Sequence, residues 1–192
     1  MNQATTRKKR NLIILIIAIV SVIFGVLFDH VMGSVEKKSY PREYSTYVEL
    51  YASEYGVPET VIYAVIKTES GFDKNAVSNA GAHGLMQITE ETYEWISSKL
   101  KETPSVFAIY DPATNIRYGV WYLSYLYGKF ESWDVAFAAY NAGPGNVSNW
   151  LDDSEYSSDG ISLDYIPFKE TRNYVEKVNK AIEIYERLYY SN

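Results

Sequence analysis

The chain has 192 residues, 47% of them hydrophobic and 22% charged. That is enough for one packed domain with an added tail or anchor, and too apolar for wholesale disorder. It contains no cysteine, which excludes disulfides, thiolate catalysis, Cys-based zinc sites, iron–sulfur clusters and a lipid anchor on an N-terminal Cys. Net charge is −6, yet four of the 18 basic residues, Arg7, Lys8, Lys9 and Arg10, stand together at the start. The remaining body is more acidic still, which argues against a nucleic-acid partner.

Residues 1–11 read as a basic tail. Residues 12–28 carry no charge and sit at the short end for a membrane span, which needs about 20 residues. No small-x-small cleavage site follows at residues 28–33, so an uncleaved anchor is expected in place of a removed signal. The run is apolar on every face, unlike a core helix of a small domain. The basic flank predicts a cytoplasmic N-terminus and a single pass, with the body outside the membrane. Residues 29–40 read as a polar stalk, and residues 41–192 as the folded domain.

The body reads as mainly helical. Tyr44, Tyr47, Val48, Tyr51 and Tyr55 recur at three- and four-residue steps after Pro41. Gly56 breaks that pattern and Pro58 starts another, running to about Ser70, where Gly71 stops it. Residues 71–89, rich in Gly, Asn and Ser, predict a loop or a small β element near residue 80. Thr89 opens a helix to about Lys101. Asp111-Pro112 caps a long helix to Tyr127, ended by Gly128. A short helix covers 132–140 and stops at the Gly/Pro turn beginning at Asn141. Residues 151–164 are an acidic, Ser-rich loop. The last helix spans about 169–189, with Val175, Val178, Ile182, Tyr185 and Leu188 as its inner stripe. No 20–50-residue repeat is present.

One carboxyl is placed for chemistry. Ile62, Val65 and Ile66 form an apolar stripe, and the next position on it is Glu69. The side chain therefore points inward at the end of its helix. A carboxyl with apolar neighbours has a raised pKa, the condition for a general acid near neutral pH. The plain alternative is a solvated residue in a frayed last turn. Aromatics make up 16% of the chain, with 19 Tyr and 4 Trp; such rings pack a helical core or line a carbohydrate groove.

Glu69-Ser70-Gly71-Phe72, then Ser78, then residues 81–88 (GAHGLMQI), residues 139–145 (AYNAGPG) and residues 166–175 (IPFKETRNYV) follow in a fixed order. This series resembles the catalytic domain of the soluble-lytic-transglycosylase family, similar in fold to goose-type lysozymes, over about 120 residues. The resemblance implies a mainly α, lysozyme-like domain that acts on peptidoglycan glycan strands without metal or organic cofactor. It implies that Glu69 is the acid/base, that Ser78 contacts a substrate sugar, and that Met86 and Gln87 belong to the floor and wall of the groove. It further implies that Tyr140 and Asn141 face the acid, and that Glu170 helps to orient the substrate. Read without the family, Tyr140 lines a cleft or packs the core, Gln87 meets sugar hydroxyls or closes a turn, and Met86 is a core residue. Glu170 then complements a helix dipole. His83 stands where the family often carries a small or different polar residue.

The family's chemistry implies a lyase. Protonated Glu69 donates to the glycosidic oxygen and then accepts the proton of the sugar's own C6 hydroxyl, which closes a 1,6-anhydro ring on N-acetylmuramic acid. A lysozyme-like hydrolase on the same fold, or a non-catalytic glycan-binding scaffold, remain the alternatives. An envelope-spanning secretion or conjugation machine is a fitting context for a small anchored enzyme, although no residue here names one.

Overall fold

A computed structural model describes residues 3–103 and 105–191. The chain divides into two units, residues 1–41 and 42–192. The first is one helix, α1 (Gln3–Ser39). Its segment Ile16–Ser39 is long and apolar enough to cross a membrane, and none of that window is buried. The polar residues expected as a separate stalk continue this helix. Asp29, His30 and Gly33 leave its hydrogen-bond ladder intact, and Ser34 and Ser39 donate their hydroxyls to the carbonyls of His30 and Val35 at 2.9 and 3.1 Å. Pro41 disfavours helical geometry in the residue before it, and the helix ends there.

The second unit contains α2 (Ser45–Tyr55), α3 (Glu59–Glu69), β1 (Ala82–His83), β2 (Ile88–Thr89), α4 (Glu90–Leu100), a 3-10 turn (Val106–Tyr110), α5 (Pro112–Phe130), α6 (Trp133–Ala142), α7 (Pro144–Leu151) and α8 (Lys169–Tyr185). A wider turn, Glu186–Tyr190, follows α8. Every residue of α3 from 60 to 66 is buried, because this helix is apolar on nearly all faces and so takes the centre. It packs against α8, which closes over it with Thr171, Tyr174, Val175, Val178, Ala181 and Tyr185. Tyr174 and Ala181 thus take the inner places expected of Ile182 and Leu188, which are half-buried. α6 packs between α5 and α8; its small buried Ala136, Ala138 and Ala139 let those helices approach.

The caps act as their residue types dictate. Thr89 and Asp111 accept the N–H of Thr92 and Thr114 at 3.2 and 2.9 Å. α5 runs past Gly128 to Phe130, because Phe130 is buried and holds the extra turn, and Glu131 takes the left-handed end position at φ 55. α6 continues to Ala142, and Gly143 (φ 86, ψ 142) turns the chain directly into α7. α7 has no counterpart in the sequence pattern; only Val147 and Trp150 bury, too few to produce a period. The pair β1–β2 is antiparallel, with Ala82 opposite Thr89 and His83 opposite Ile88.

Candidate active site

Glu69 is the last residue of α3. Behind it the chain reverses through two consecutive left-handed residues, Gly71 (φ 59) and Phe72 (φ 74). Phe72 accepts this conformation because its ring is buried, 6.5 Å from that of Tyr63. Ser70 fastens the reversal: its hydroxyl donates to the carbonyl of Leu85 at 2.8 Å and receives the Phe72 N–H at 3.2 Å. The end of α3 is thereby stitched to the loop that forms the opposite wall.

The Glu69 side chain keeps some contact with solvent, but its carboxyl sits in surroundings too apolar to hydrate a charge well. Burial pushes its pKa up to about 7, and the neighbouring Tyr174 hydroxyl pulls weakly the other way. Tyr174 comes from α8. Its buried hydroxyl forms no well-aligned hydrogen bond, but lies close enough to Glu69 to favour the charged carboxylate. Burial raises the hydroxyl pKa values of Tyr174 and Tyr140 well above the ordinary value, and the nearby Glu69 charge adds to both shifts. Glu69, Tyr140 and Tyr174 therefore form one cluster drawn from α3, α6 and α8. No Lys or Arg pairs with Glu69 among the described residues.

The loop between β1 and β2 is the second wall. Buried Asn115 on α5 accepts the Met86 N–H at 2.8 Å and donates to the carbonyls of His83 and Ile109 at 3.0 and 2.8 Å. Two glycines allow the close fit. A Cβ on Gly84 would lie 2.5 Å from Asn115 Nδ2, and one on Gly119 would lie 2.4 Å from Met86 Sδ. Tyr140 Oη donates to the Met86 carbonyl at 2.8 Å. The Met86 side chain has no exposed surface, so Met86 bounds the site through its backbone while its side chain packs in the core.

The other candidates are placed as follows. Gln87 is left-handed (φ 50), and its amide donates to the carbonyls of Ala76 and Gly84 at 3.1 and 2.9 Å. Both partners only accept, so the amide orientation is fixed and Oε1 is turned away from the turn. Ser78 is exposed; its hydroxyl receives the Ala82 N–H at 3.0 Å, which leaves its own proton to donate. Asn141 Oδ1 accepts from Thr171 Oγ1 at 2.7 Å. Asn141, Thr171 and Glu170 line one cleft of about 580 Å³ with Pro167 and Phe168. His83 is tied to Tyr110, Nδ1 to Oη at 2.9 Å, with Nε2 3.9 Å from Glu90. Tyr174 and Asn115 were not singled out by the sequence pattern. Tyr174 is detectable only as part of the Thr171, Tyr174, Val178 spacing, whereas nothing local marks Asn115.

A separate cavity of about 360 Å³ is lined by Glu90, Tyr93, Glu94 and Glu102 on α4 and the segment after it. It shares no residue with the Glu69 cluster, and the Arg117 guanidinium beside Glu102 holds that carboxyl below the usual carboxylate range. The described residues include no group of three His, Asp or Glu side chains able to hold a metal.

Comparison with known proteins matches residues 46–161 to the transglycosylase SLT domain family. The soluble lytic murein transglycosylase of Escherichia coli K12 is 34% identical over 178 residues, 90% of this chain and 26% of the relative. A membrane-bound lytic murein transglycosylase C of Mannheimia succiniciproducens is 35% identical, over 76% of this chain and 47% of the relative. The X-ray structure of an inactive Glu-to-Gln mutant of lytic transglycosylase Slt from Pseudomonas aeruginosa superposes with a TM-score of 0.69 at 34% identity, covering 79% of this chain and 25% of that one. The chain thus spans about a quarter of the length of the soluble relatives. With the helical, lysozyme-like architecture and the match over most of the folded body, the chain belongs to the transglycosylase SLT domain family.

Proposed function

We propose that this protein is a membrane-anchored lytic transglycosylase that cleaves the β-1,4 bond between N-acetylmuramic acid and N-acetylglucosamine in peptidoglycan. The observation that carries this reading is the lone Glu69 carboxyl at the end of α3, buried enough to hold its pKa at about 7. A group poised there is protonated often enough to act as an acid and, once ionised, basic enough to act as a base.

In the first step Glu69 donates its proton to the glycosidic oxygen as the bond to C1 breaks. The charge left on Glu69 is eased by the Tyr174 hydroxyl, and the N-acetyl group of the sugar assists departure. In the second step the carboxylate takes the proton of the C6 hydroxyl, whose oxygen bonds to C1. Glu69 ends protonated, as it began, and no water is consumed. The C6 hydroxyl is tethered to the reacting sugar, so its effective concentration greatly exceeds that of a loosely held second reactant. A hydrolase would instead place a second carboxylate across the bond, to activate water or attack C1. No other Asp or Glu accompanies Glu69 in its cluster among the described residues. Tyr140 holds the Met86 carbonyl, Ser78 and Gln87 offer polar atoms along the loop wall, and Asn141 and Glu170 orient the strand on the other side.

The apolar helix and the membrane-bound relative support membrane association. The basic residues before the apolar run support an N-in, C-out topology. A body held at the membrane surface suits local opening of the wall, as an envelope-spanning machine would require. The decisive experiment is mass analysis of products from purified peptidoglycan digested in 18O water. Muropeptides ending in 1,6-anhydro-N-acetylmuramic acid without solvent oxygen are expected. Reducing ends carrying 18O would establish a hydrolase and end the lyase reading.

A further inference from the structure

The Glu69 cluster continues outward into a patch of aromatic rings. The Tyr122 centroid lies 5.4 Å from that of Tyr140. Tyr122 and Tyr125 are 6.4 Å apart with planes within 9°, and Tyr125 and Trp121 are 5.7 Å apart within 10°. Trp121 and Tyr122 each reach the Tyr125 ring along α5, because positions 121 and 122 lie four and three residues before 125, about one turn. Trp95 of α4 stands against all three, at 5.7, 5.9 and 5.0 Å and angles of 61°, 72° and 70°. The Lys99 ammonium sits 5.5 Å from the Trp95 ring centre.

The group is not interior packing. Tyr125 is 40% exposed, and Trp95, Trp121 and Tyr122 are each half-buried. The core face of α5 is a different set, Ile116, Val120, Leu123 and Leu126. Burial increases towards the cluster: Tyr122, next to Tyr140, has its hydroxyl pKa pushed up to about 12 by desolvation. The rings thus run without interruption from Tyr140 in the Glu69 cluster to exposed Tyr125.

We propose that Trp95, Trp121 and Tyr125 form an accessory platform for the glycan strand, holding sugars remote from the bond being cleaved. The inference rests on the glycan-cleaving reading of Glu69 and extends it to how strand length is sensed. Flat aromatic faces suit the apolar faces of pyranose rings, and they present this area with few rotatable bonds to immobilise. Continuity with Tyr140 selects a sugar chain as occupant over an unrelated partner.

The test uses the full chain in nanodiscs. Strand binding to Glu69→Gln is followed by tryptophan fluorescence, and turnover of the otherwise unaltered chain is measured on peptide-free glycan strands of graded length. Adding Trp121→Ala should weaken binding of long strands about tenfold and raise KM for them by a similar factor. Fragments too short to reach the patch should be nearly indifferent, kcat should change little, and Trp121→Phe should recover most of the loss. Trp95→Ala should behave like Trp121→Ala. Unchanged binding of long strands, or equal losses on short and long ones, would overturn the platform. So would a loss confined to binding of anionic lipid vesicles, because a membrane would then be the occupant. If the unaltered chain releases no products while Trp121→Ala still weakens strand binding, the catalytic reading fails and the platform stands. If turnover is normal and its length dependence survives both substitutions, the platform fails and the catalytic reading stands.

Discussion

Replacing Glu69 by Gln should stabilise the protein, and only at higher pH. The wild-type carboxyl has a folded-state pKa of about 7 against an ordinary value of 4.5. Between those values the unfolded chain has released its proton while the folded chain still holds it. Stability therefore falls as pH rises from about 4.5 to about 7, and is level on either side. The full shift corresponds to roughly 3 kcal/mol, an upper figure because part of the side chain meets solvent. Gln has nearly the same shape and does not titrate. Glu69→Gln should thus match wild type near pH 4 and exceed it by about 1–3 kcal/mol near pH 8. In a chain of this size that is about 2–12 °C in melting temperature. Thermal unfolding of both proteins in mild detergent, followed by near-UV circular dichroism from about pH 4 to 8, measures the difference directly. A constant gap across the range, or no gap at pH 8, would mean that Glu69 is ordinarily hydrated and that its burial has been misjudged. The same substitution should lower turnover at least about 10²-fold, the usual scale of general acid–base catalysis.

Because Glu69 must start protonated, kcat/KM on peptidoglycan should decline above about pH 7; a flat profile to pH 9, with chemistry limiting, contradicts its role as the acid. Tyr140→Phe removes the hydrogen bond to the Met86 carbonyl and should reduce turnover about 2–13-fold, well short of the loss in Glu69→Gln; wild-type rates on insoluble peptidoglycan would show that this bond does not position the wall. Asn115→Ala orphans the Met86 N–H and the His83 and Ile109 carbonyls, and should destabilise by at least about 2 kcal/mol; an unchanged unfolding midpoint in urea would show that the loop holds without the latch. Protease added outside spheroplasts should degrade the body, whereas full protection would reverse the topology argued from residues 7–10.

Local chemistry made much of this molecule readable from its residues in order. Thr89 and Asp111 cap helices because their side-chain oxygens reach the first free N–H groups, and that needs no distant partner. The stripe Ile62, Val65, Ile66 carries Glu69 to the inner face of α3 by helical period alone. The motif series around Ser78, Gln87, Tyr140 and Glu170 marked the family for the same reason: each is a short stretch whose order along the chain can be read directly. Periodicity sees only neighbours within a turn or two, and there its reach ended. It stopped α5 at Gly128, since the burial of Phe130 is decided by packing. It passed over α7, whose two buried residues form no pattern, and divided residues 29–40 from the apolar run before them, which the backbone joins in one helix. The pKa of Glu69 depends first on the burial around it, which raises it, and then on Tyr174, which lowers it and which α8 brings from far along the chain. The loop wall depends on Asn115, an ordinary polar residue until α5 brings its amide against the backbone of Met86 and His83. Residue types and their spacing determined which groups were available and which way they pointed from their own helices. Only the tertiary structure could exclude water around Glu69, because desolvation is produced by every surface that closes on the group and belongs to no single segment.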